Sequence, residues 1–233
     1  MSAIDENLTA AIVLLSGGMD SATCLALAQR DYDQVYGLSV NYGQRHSAEL
    51  VAAEQLAKEA GLTGYRVMRI DISDFGGSAL LDPKLKIPER PSEDIPITYV
   101  PARNTIMLSV ALSWAEAVHA KAIYLGVNAV DYSGYPDCRG EYIQAFQGMA
   151  DLATKAGIEG HGPSIKTPLL RLTKGEIIQL GTDLGVDFSL TVTCYQADQQ
   201  GLACDLCDAC RLRNQGFRDA KLTDVTRYQS GRS

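Results

Sequence analysis

The amino-acid sequence predicts an α/β protein built on a doubly wound parallel sheet. Two observations indicate this fold class: short apolar runs that suit buried strands alternate with longer segments of helical periodicity, and the first apolar run ends in a glycine-rich loop. Strands that alternate with helices form parallel sheets with right-handed crossovers. Ligands of such sheets bind at the carboxyl ends of the strands, so a site is expected in the loops that follow the strands.

The first part of the chain supplies three strands and two helices. Residues 10–15 are continuously apolar, which is typical of a strand buried on both faces. A helix is predicted over about 20–30, and a second strand over 34–40. The next helix, over 46–61, has an apolar stripe and leads to a third strand over 65–70.

Residues 71–98 interrupt this alternation with two adjacent glycines, four prolines and mixed charges. A connection of this length without regular structure is uncommon in a compact domain. We therefore expect a mobile excursion near the site.

The alternation then resumes with the strongest helical pattern of the chain. Ile106, Val110, Trp114 and Ala117 recur at helical spacing, which predicts a helix after residue 105. A fourth strand is predicted over 122–126.

The last elements follow a polar loop over 127–140. A helix is predicted over 141–156, and residues 164–170 resemble a last strand or extended piece. Thr173 and Glu176 have the spacing of a capping box, which predicts that a further helix begins there and continues through Leu184.

The composition is that of an ordinary globular protein, with 46% hydrophobic and 21% charged residues among 233. A formal net charge of −7 argues against broad binding to nucleic acid or an anionic membrane, because both need a basic face. The first residues lack the pattern of a secretory signal, and no run of about 18 apolar residues occurs. We expect a cytoplasmic protein that acts on a small molecule, with no membrane and no stable nucleic-acid partner.

The loop after the first strand, residues 16–21 (SGGMDS), is suited to bind phosphate. The start of the following helix presents unpaired N–H groups and the positive end of its dipole, and the glycines let an anion approach the backbone. The lysine of a G-x-x-x-x-G-K-[ST] motif is absent. The sequence therefore favours cleavage of a nucleotide elsewhere than at its γ-phosphate.

Four of the six cysteines lie close together near the C-terminus: Cys194, Cys204, Cys207 and Cys210. Thiols stay reduced in the cytosol, so we do not interpret them as disulfides. Tetrahedral Zn²⁺ fits four thiolates best, and a closed set of four sulfur ligands makes a structural site. An iron–sulfur cluster and redox-active thiols are the alternatives. On the zinc interpretation, residues 1–185 form a nucleotide-binding domain and residues 186–233 a small zinc-binding segment.

Residues 16–21 resemble the S-G-G-x-D-S signature of the PP-loop ATP pyrophosphatases, whose fold is called adenine nucleotide alpha hydrolase-like. In that superfamily ATP is split between its α- and β-phosphates. The resemblance implies that the loop amides, Ser16 and Ser21 hold the departing pyrophosphate, and that Asp20 caps the helix or helps to hold Mg²⁺. The residues expected to bind ATP are Leu15, Ser16, Gly17, Gly18, Met19, Asp20, Ser21, Ala22, Thr23, Cys24, Leu25, Tyr42 and Arg103.

One branch of that superfamily shares six stretches with this chain: LLSGGMDSATC (14–24), NYGQRH (41–46), YVPARNT (99–105), VDYSGYPDCR (130–139), IKTPL (165–169) and the cysteine cluster with its following CRLRNQGF. Together they resemble the QueC family of 7-cyano-7-deazaguanine synthases over nearly the whole chain. Ala102 departs from the family pattern, in which glycine is expected, and so do residues 191–193, where an aromatic residue is commoner. Neither departure removes a reacting group.

The resemblance implies that 7-carboxy-7-deazaguanine, ammonia and ATP become 7-cyano-7-deazaguanine, a precursor of queuosine in tRNA, and that the enzyme is a homodimer. The substrate carboxylate would attack the α-phosphate to give an acyl adenylate, which ammonia converts to an amide. A second adenylation, at the amide oxygen, permits elimination to the nitrile. No protein nucleophile is needed, because the loop stabilises charge on the leaving group.

The residues expected to take part in catalysis are Ser16, Asp20, Ser21, Arg103 and Lys166. Arg103 either neutralises the α-phosphate or is a surface arginine paired with a carboxylate. Lys166 is either a phosphate ligand or a solvated lysine at the end of a strand. The loop after the fourth strand is expected to bind the deazaguanine, with a turn-rich connection as the alternative. Its candidate residues are Asp131, Tyr132, Ser133, Tyr135, Asp137 and Arg139.

Two other functions stay open. A PP-loop enzyme of tRNA thiolation would show a reactive cysteine near the nucleotide and a basic surface for tRNA, and the net charge of −7 counts against it. A zinc-containing module that binds nucleic acid would show salt-sensitive RNA binding without release of pyrophosphate.

Overall fold

The computed structural model describes residues 9–44, 48–82, 84–88, 94–130 and 134–229. Within these ranges the backbone forms one sheet of five parallel strands in the order β3-β2-β1-β4-β5. The doubly wound parallel sheet predicted from the sequence is therefore confirmed. The strands are β1 (Ala10–Leu14), β2 (Gln34–Asn41), β3 (Gly64–Arg69), β4 (Ala122–Tyr124) and β5 (Ser164–Lys166).

The direction of winding reverses at the centre of the sheet. From β1 the chain moves outward through β2 to β3, and then returns to place β4 on the other side of β1. A crevice opens beyond the carboxyl ends of the strands at such a reversal, and this is where ligands of doubly wound sheets bind. The loops that follow β1 and β4 therefore border the expected site.

Helices cover both faces of the sheet. They are α1 (Met19–Asp31), α2 (Ala48–Glu59), α3 (Arg103–Ala117), α4 (Gly140–Ala153), α5 (Lys155–Ile158), α6 (Lys174–Asp183) and α7 (Asp208–Asp219). Ile12 and Leu14 pack with α3 and α4 in one apolar cluster, whereas Ala11 and Val13 pack with α1, α2 and α6 in another. Burial on both faces explains why residues 10–15 are apolar without interruption.

The single helix predicted over 141–156 is wrong, because the chain forms α4 and α5 with a break at Thr154. Thr154 has extended backbone angles, and its side chain accepts a hydrogen bond from the Gly157 amide, so it caps α5. A Cβ atom at Gly157 would lie 2.4 Å from the Asp151 carbonyl oxygen, and only glycine fits this break.

The helix predicted from the spacing of Ile106, Val110, Trp114 and Ala117 is confirmed as α3, and the first three of these residues pack against the core beside fully buried neighbours. Leu108, Ala111 and Ala115 are fully buried, whereas Trp114 is partly buried and Ala117 is exposed. The helix is apolar around much of its circumference, so periodicity alone did not specify which stripe faces the sheet.

The connection over residues 71–98 is partly built into the core. It contains a short 3₁₀ helix over Ser73–Phe75, and Ile72, Leu80 and Leu81 are buried in the cluster beneath α3. These residues therefore pack into the core, and Leu80 reaches the cavity described below, whereas the mobility of the connection stays a prediction. Residues 83 and 89–93 of the connection lie outside the described residues.

The capping box is confirmed at the start of α6. The Thr173 hydroxyl accepts a hydrogen bond from the Glu176 amide, and the Glu176 carboxylate accepts one from the Thr173 amide at 2.7 Å. In the part of the chain that the structure describes, every helix is too short or too polar to cross a lipid bilayer.

Candidate active site

The loop between β1 and α1 is shaped by two glycines and two serines. Gly17 has φ of +86°, and Gly18, which has no side chain to cap the helix, is the N-cap of α1 and donates its amide to the Ser16 hydroxyl at 3.4 Å. The Ser21 hydroxyl donates to the Gly18 carbonyl oxygen at 2.9 Å and lies 3.1 Å from the Ser16 hydroxyl. The two side chains hold the loop open, so that the start of α1 can receive an anion.

A cavity of about 180 Å³ lies at the reversal of winding, directly above this loop. Its walls come from the loop and the start of α1, the end of β2, the first turns of α2 and α3, the loop after β4, and the segment around Cys194. The loops after β1 and β4 meet closely, since a Cβ atom on Gly126 would lie 3.0 Å from the Asp20 carbonyl carbon. The cavity is therefore where the topology of the sheet predicted a site.

Asp20 forms a shielded ion pair that the sequence analysis did not anticipate. Both of its carboxylate oxygens accept hydrogen bonds from the Lys174 ammonium group at 2.9 Å. The Lys174 side chain is 5% exposed and that of Asp20 is 18% exposed. Lys174 is the first residue of α6, so the capping box indicated where its helix begins but not that its side chain points inward.

Arg103 begins α3 and lines the cavity opposite the loop. Its guanidinium donates to the Tyr42 hydroxyl at 3.5 Å and lies 5.8 Å from the centre of the Tyr42 ring. The residue before it, Ala102, has φ of 53°, in the left-handed region that favours glycine. This geometry explains why glycine is expected at position 102, and alanine adopts it here at a cost in strain.

Glu49 lies in the first turn of α2 and also lines the cavity. Burial raises the pKa of its carboxyl group to about 7, although the positive charge of Arg103 opposes this shift. The sequence analysis did not single out Glu49, because a glutamate in the first turn of a helix is ordinarily a solvated residue that favours the helix dipole.

The residues predicted to bind the substrate in the loop after β4 differ in their relation to the cavity. Tyr135 lines it, and its hydroxyl lies 2.8 Å from that of Thr98. Asp137 is buried and accepts a hydrogen bond from the Asn104 amide at 3.0 Å, so it supports the start of α3. Arg139 is exposed and does not line the cavity. The other three predicted substrate residues, Asp131, Tyr132 and Ser133, lie outside the described residues.

Lys166 does not line the cavity. Its side chain is exposed on edge strand β5, and its charge acts on Asp31 at the end of α1. The lysine that contacts the nucleotide loop is Lys174 rather than Lys166.

The thirteen residues predicted to bind ATP fall into two groups. Gly17 shapes the loop from behind, and Ala22, Thr23, Cys24 and Leu25 are buried in the second turn of α1. The residues that line the cavity are Leu15, Ser16, Gly18, Met19, Asp20, Ser21, Tyr42 and Arg103.

The four C-terminal cysteines converge on one point. Their Sγ atoms all lie within 4.8 Å of one another, and the Sγ atom of Cys207 is 3.9 Å from that of Cys194 and 3.6 Å from that of Cys210. Sulfur ligands at about 2.3 Å from one tetrahedral Zn²⁺ ion stand about 3.8 Å apart. An iron–sulfur cluster would need wider spacing, since several iron atoms must fit between the ligands. The donor set therefore fits one zinc ion.

Backbone amides supply the polar surroundings of these sulfur atoms. The amides of Gln196 and Cys204 both donate to the Cys194 Sγ atom at 3.2 Å. Hydrogen bonding with the neighbouring Cys194 and Cys210 thiols lowers the pKa of the Cys207 thiol. Such donors stabilise the thiolate form that a metal ion requires.

The cysteine segment also forms one wall of the cavity. The Val192 amide donates to the Gly17 carbonyl oxygen at 2.9 Å, and Thr193 and Tyr195 line the cavity on either side of Cys194. Arg213 of α7 is buried and donates to the hydroxyl of Thr193 at 3.0 Å. A metal ion at the cysteines would therefore fix a wall of the nucleotide site.

A glycine loop at the reversal point of a parallel sheet, leading from β1 into α1 with the sequence SGGMDS, defines an α/β nucleotide-binding protein of the PP-loop type. The sequence model of the family described as "Queuosine biosynthesis protein QueC" matches residues 10–221. The chain belongs to this family.

Three relatives are named 7-cyano-7-deazaguanine synthase. That of Methylobacillus flagellatus is 60% identical over 94% of this chain and 95% of its own length. That of Nitrosospira multiformis is 59% identical over 95% of this chain and 96% of its own length. That of Dechloromonas aromatica is 60% identical over 94% of this chain and 98% of its own length.

Proposed function

We propose that this protein converts 7-carboxy-7-deazaguanine and ammonia to 7-cyano-7-deazaguanine at the expense of ATP, as a step in the biosynthesis of queuosine. The observation that carries the proposal is the identity of 59% and 60% to synthases of that name over nearly the full chain. The open nucleotide loop at the reversal point of the sheet supports it independently.

In the first step, a carboxylate oxygen of the substrate attacks the α-phosphorus of ATP and the bond to the β-phosphate breaks. The amides at the start of α1, with Ser16 and Ser21, hold the departing pyrophosphate. The ion pair of Lys174 and Asp20 fixes the start of α1 beneath the loop. Arg103 contacts the α-phosphate from the opposite wall, a role for which its bidentate guanidinium is suited. Mg²⁺ accompanies the nucleotide and neutralises phosphate charge when bound.

In the second step, ammonia displaces AMP from the acyl adenylate and gives the amide. The amide oxygen then attacks a second ATP, and loss of AMP and of the N–H protons leaves the nitrile. No step requires a protein nucleophile. This agrees with the state of Cys138, the cysteine that lines the cavity, because burial raises the pKa of its thiol to about 12. A protonated thiol also argues against a tRNA-thiolation enzyme that relies on a reactive cysteine.

Residues 186–233 serve as a zinc-bound structural segment in this proposal, appended to a nucleotide-binding domain over 1–185. The substrate lies against Tyr135 and the loop after β4. The enzyme acts as a homodimer, which the exposure of Val67 and Met68 on edge strand β3 supports, since apolar edges are usually covered.

The test is to incubate the protein with 7-carboxy-7-deazaguanine, an ammonium salt, ATP and Mg²⁺, and to identify the products by mass spectrometry. We expect the nitrile, with two AMP and two pyrophosphate released for each nitrile formed. Without ammonia, the reaction should stop at the acyl adenylate, with release of pyrophosphate and no formation of the amide. Release of ADP, or absence of both nitrile and AMP, would overturn the proposal.

A further inference from the structure

Glu49 is an acidic side chain in a cavity that otherwise gathers groups for binding anions. It lines the same cavity as Ser16, Ser21 and Arg103. Its helix is fixed against the nucleotide loop, because a Cβ atom on Gly17 would lie 2.1 Å from the Glu49 carbonyl oxygen. A carboxylate here opposes phosphate binding, so a role in holding ATP does not account for it.

Within the part of the chain that the structure describes, the surroundings of Glu49 leave its carboxylate oxygens available to a ligand. Among the described residues, no side chain or amide lies within hydrogen-bond distance of these oxygens, and the interactions of Glu49 are electrostatic, with Arg103 of α3 and Tyr42 after β2. The remaining charged residue that lines the cavity, Asp20 of α1, is paired with the Lys174 ammonium group of α6. The side chain is partly buried, which leaves a route for protons to solvent.

We propose that Glu49 is the general base that removes the protons released from nitrogen during amide formation and nitrile formation. This inference rests on the proposed function. It assigns to one carboxyl group the removal of protons from nitrogen, which both amide formation and nitrile formation require. Addition of ammonia to the acyl adenylate leaves a positively charged nitrogen, which must lose a proton before AMP departs. In the second half, the adenylated amide must lose two N–H protons while the C–O bond to AMP breaks.

The balance of each step is complete without a further reactant. In amide formation the lone pair of ammonia forms the C–N bond, Glu49 removes a proton from the resulting ammonium, and the oxyanion re-forms the carbonyl as AMP leaves with the electrons of the C–O bond. In nitrile formation Glu49 removes the two N–H protons, and the electrons of the last N–H bond form the third C–N bond as AMP leaves with the electrons of its C–O bond. Glu49 passes each proton to solvent. A base is most effective when its pKa lies near the working pH. Burial gives Glu49 a pKa of about 7, so the carboxylate is present at neutral pH and still accepts protons readily.

The test separates proton removal from adenylation. The conversion of the isolated amide to the nitrile with ATP contains no ammonia, so its pH dependence is not affected by the titration of ammonium. For the wild type we expect this rate to increase as pH rises through about 7, as the Glu49 carboxyl group loses its proton. In Glu49→Gln that rise should disappear, and the rate at pH 8 should fall by about 100-fold or more.

Adenylation provides the internal control. With 7-carboxy-7-deazaguanine and ATP but no ammonia, Glu49→Gln should keep most of the wild-type burst of pyrophosphate, because this step moves no proton from nitrogen. Glu49→Asp, which keeps the charge on a shorter side chain, should restore part of the nitrile rate. Glu54→Gln removes an exposed carboxylate from the same helix and should change neither step.

Three results would overturn the inference: a wild-type nitrile rate that is constant from pH 5.5 to 8.5, an unchanged rate in Glu49→Gln, or an equal loss of the pyrophosphate burst and of nitrile formation. The last would mean that Glu49 only positions Arg103. If Glu49→Gln does not fold, the wild-type pH profile and Glu49→Asp still decide. Failure of the proposed function itself is distinct, since the wild type would then release no pyrophosphate.

Discussion

At the scale of single residues, the pair of Asp20 and Lys174 combines stability with function. Both side chains are largely withdrawn from water and meet through two contacts of 2.9 Å. Removal of one partner from such a pair leaves a charge without compensation, which typically costs about 3–5 kcal/mol. The start of α1 and the start of α6 therefore depend on each other through this contact.

We expect Lys174→Met to lower the free energy of unfolding by about 3 kcal/mol, and therefore to lower Tm by roughly 6–12 °C. The double variant Asp20→Asn with Lys174→Met should recover much of this stability, because no buried charge is left unpaired. Neither variant should release pyrophosphate at more than a small fraction of the wild-type rate. Thermal unfolding and a pyrophosphate assay measure the two effects separately.

Lys155 provides the matched control for Lys174. Its side chain is 83% exposed and lies 3.9 Å from Glu159, so Lys155→Met should alter stability by no more than about 0.5 kcal/mol. A Lys174→Met protein that is as stable and as active as Lys155→Met would contradict the role of the buried pair.

The sequence was a good guide to those site residues that belong to a local motif. Ser16, Asp20 and Ser21 were identified because their spacing after a buried strand matches a known loop. Lys174 and Glu49 were missed because each opens a helix, where a charged side chain ordinarily faces solvent, and only the packing of distant elements turns them inward. Lys166 was assigned to the phosphates for its place at the end of an apolar run, but β5 directs it away from the cavity.

At the scale of elements, the nucleotide loop and α2 fit together through one glycine. A Cβ atom at Gly17 would lie 2.1 Å from the Glu49 carbonyl oxygen and 2.9 Å from the Ala53 amide nitrogen. Both are backbone atoms, so the clash can be relieved only by moving α2 or the loop. The positive φ of Gly17 adds the strain that any other residue would meet there.

We expect Gly17→Ala to lower the rate of pyrophosphate release by about 100-fold or more, because displacement of the loop by as little as 1 Å has effects of this size. Gly61→Ala is the matched control: Gly61 also has a positive φ, of +61°, but a Cβ atom there would meet nothing within 4 Å. It should lose only about 1–2 kcal/mol from backbone strain and keep full activity. Retention of wild-type turnover by Gly17→Ala would show that the loop and α2 are not coupled.

The helices and strands were predicted well where the pattern was local and strong. The strand over 10–15, the helix over 20–30 and the capping box of α6 all lie within a residue or so of their observed positions. The break between α4 and α5 was not predicted, because the capping of α5 by Thr154 depends on one side-chain hydrogen bond within an apolar segment. Element boundaries of this kind follow from single contacts rather than from periodicity.

At the scale of the whole molecule, the alternation of elements predicted the parallel sheet but not the order of its strands. That order follows from how the helices pack, and it alone brings the loop after β4 against Asp20 and the cysteine segment against Gly17. The site is therefore assembled from parts that lie more than 150 residues apart in sequence, as Asp20 and Lys174 do with a separation of 154.

The cysteine segment gives the last prediction, because it ties metal content to the integrity of the nucleotide site. The residues beside Cys194 line the cavity, so the segment links the four thiols to the cavity wall. Its Val192 amide donates a hydrogen bond to the Gly17 carbonyl oxygen. We expect Cys207→Ala to remove bound zinc entirely, since three thiolates would leave the ion exposed to water. Stability should fall by at least about 3 kcal/mol, and ATP turnover should fall with it, because the wall is no longer held.

Cys24→Ala is the matched control, since Cys24 is as buried as Cys207 but lies in α1, apart from the cluster. It loses a similar volume of packed sulfur, so any cost that comes from packing alone appears in both variants. Elemental analysis should give one zinc per chain for the wild type and for Cys24→Ala, and none for Cys207→Ala. Iron in place of zinc would contradict the assignment of the metal. Full turnover by a zinc-free Cys207→Ala protein would contradict the structural role that we assign to the cysteines at the nucleotide site.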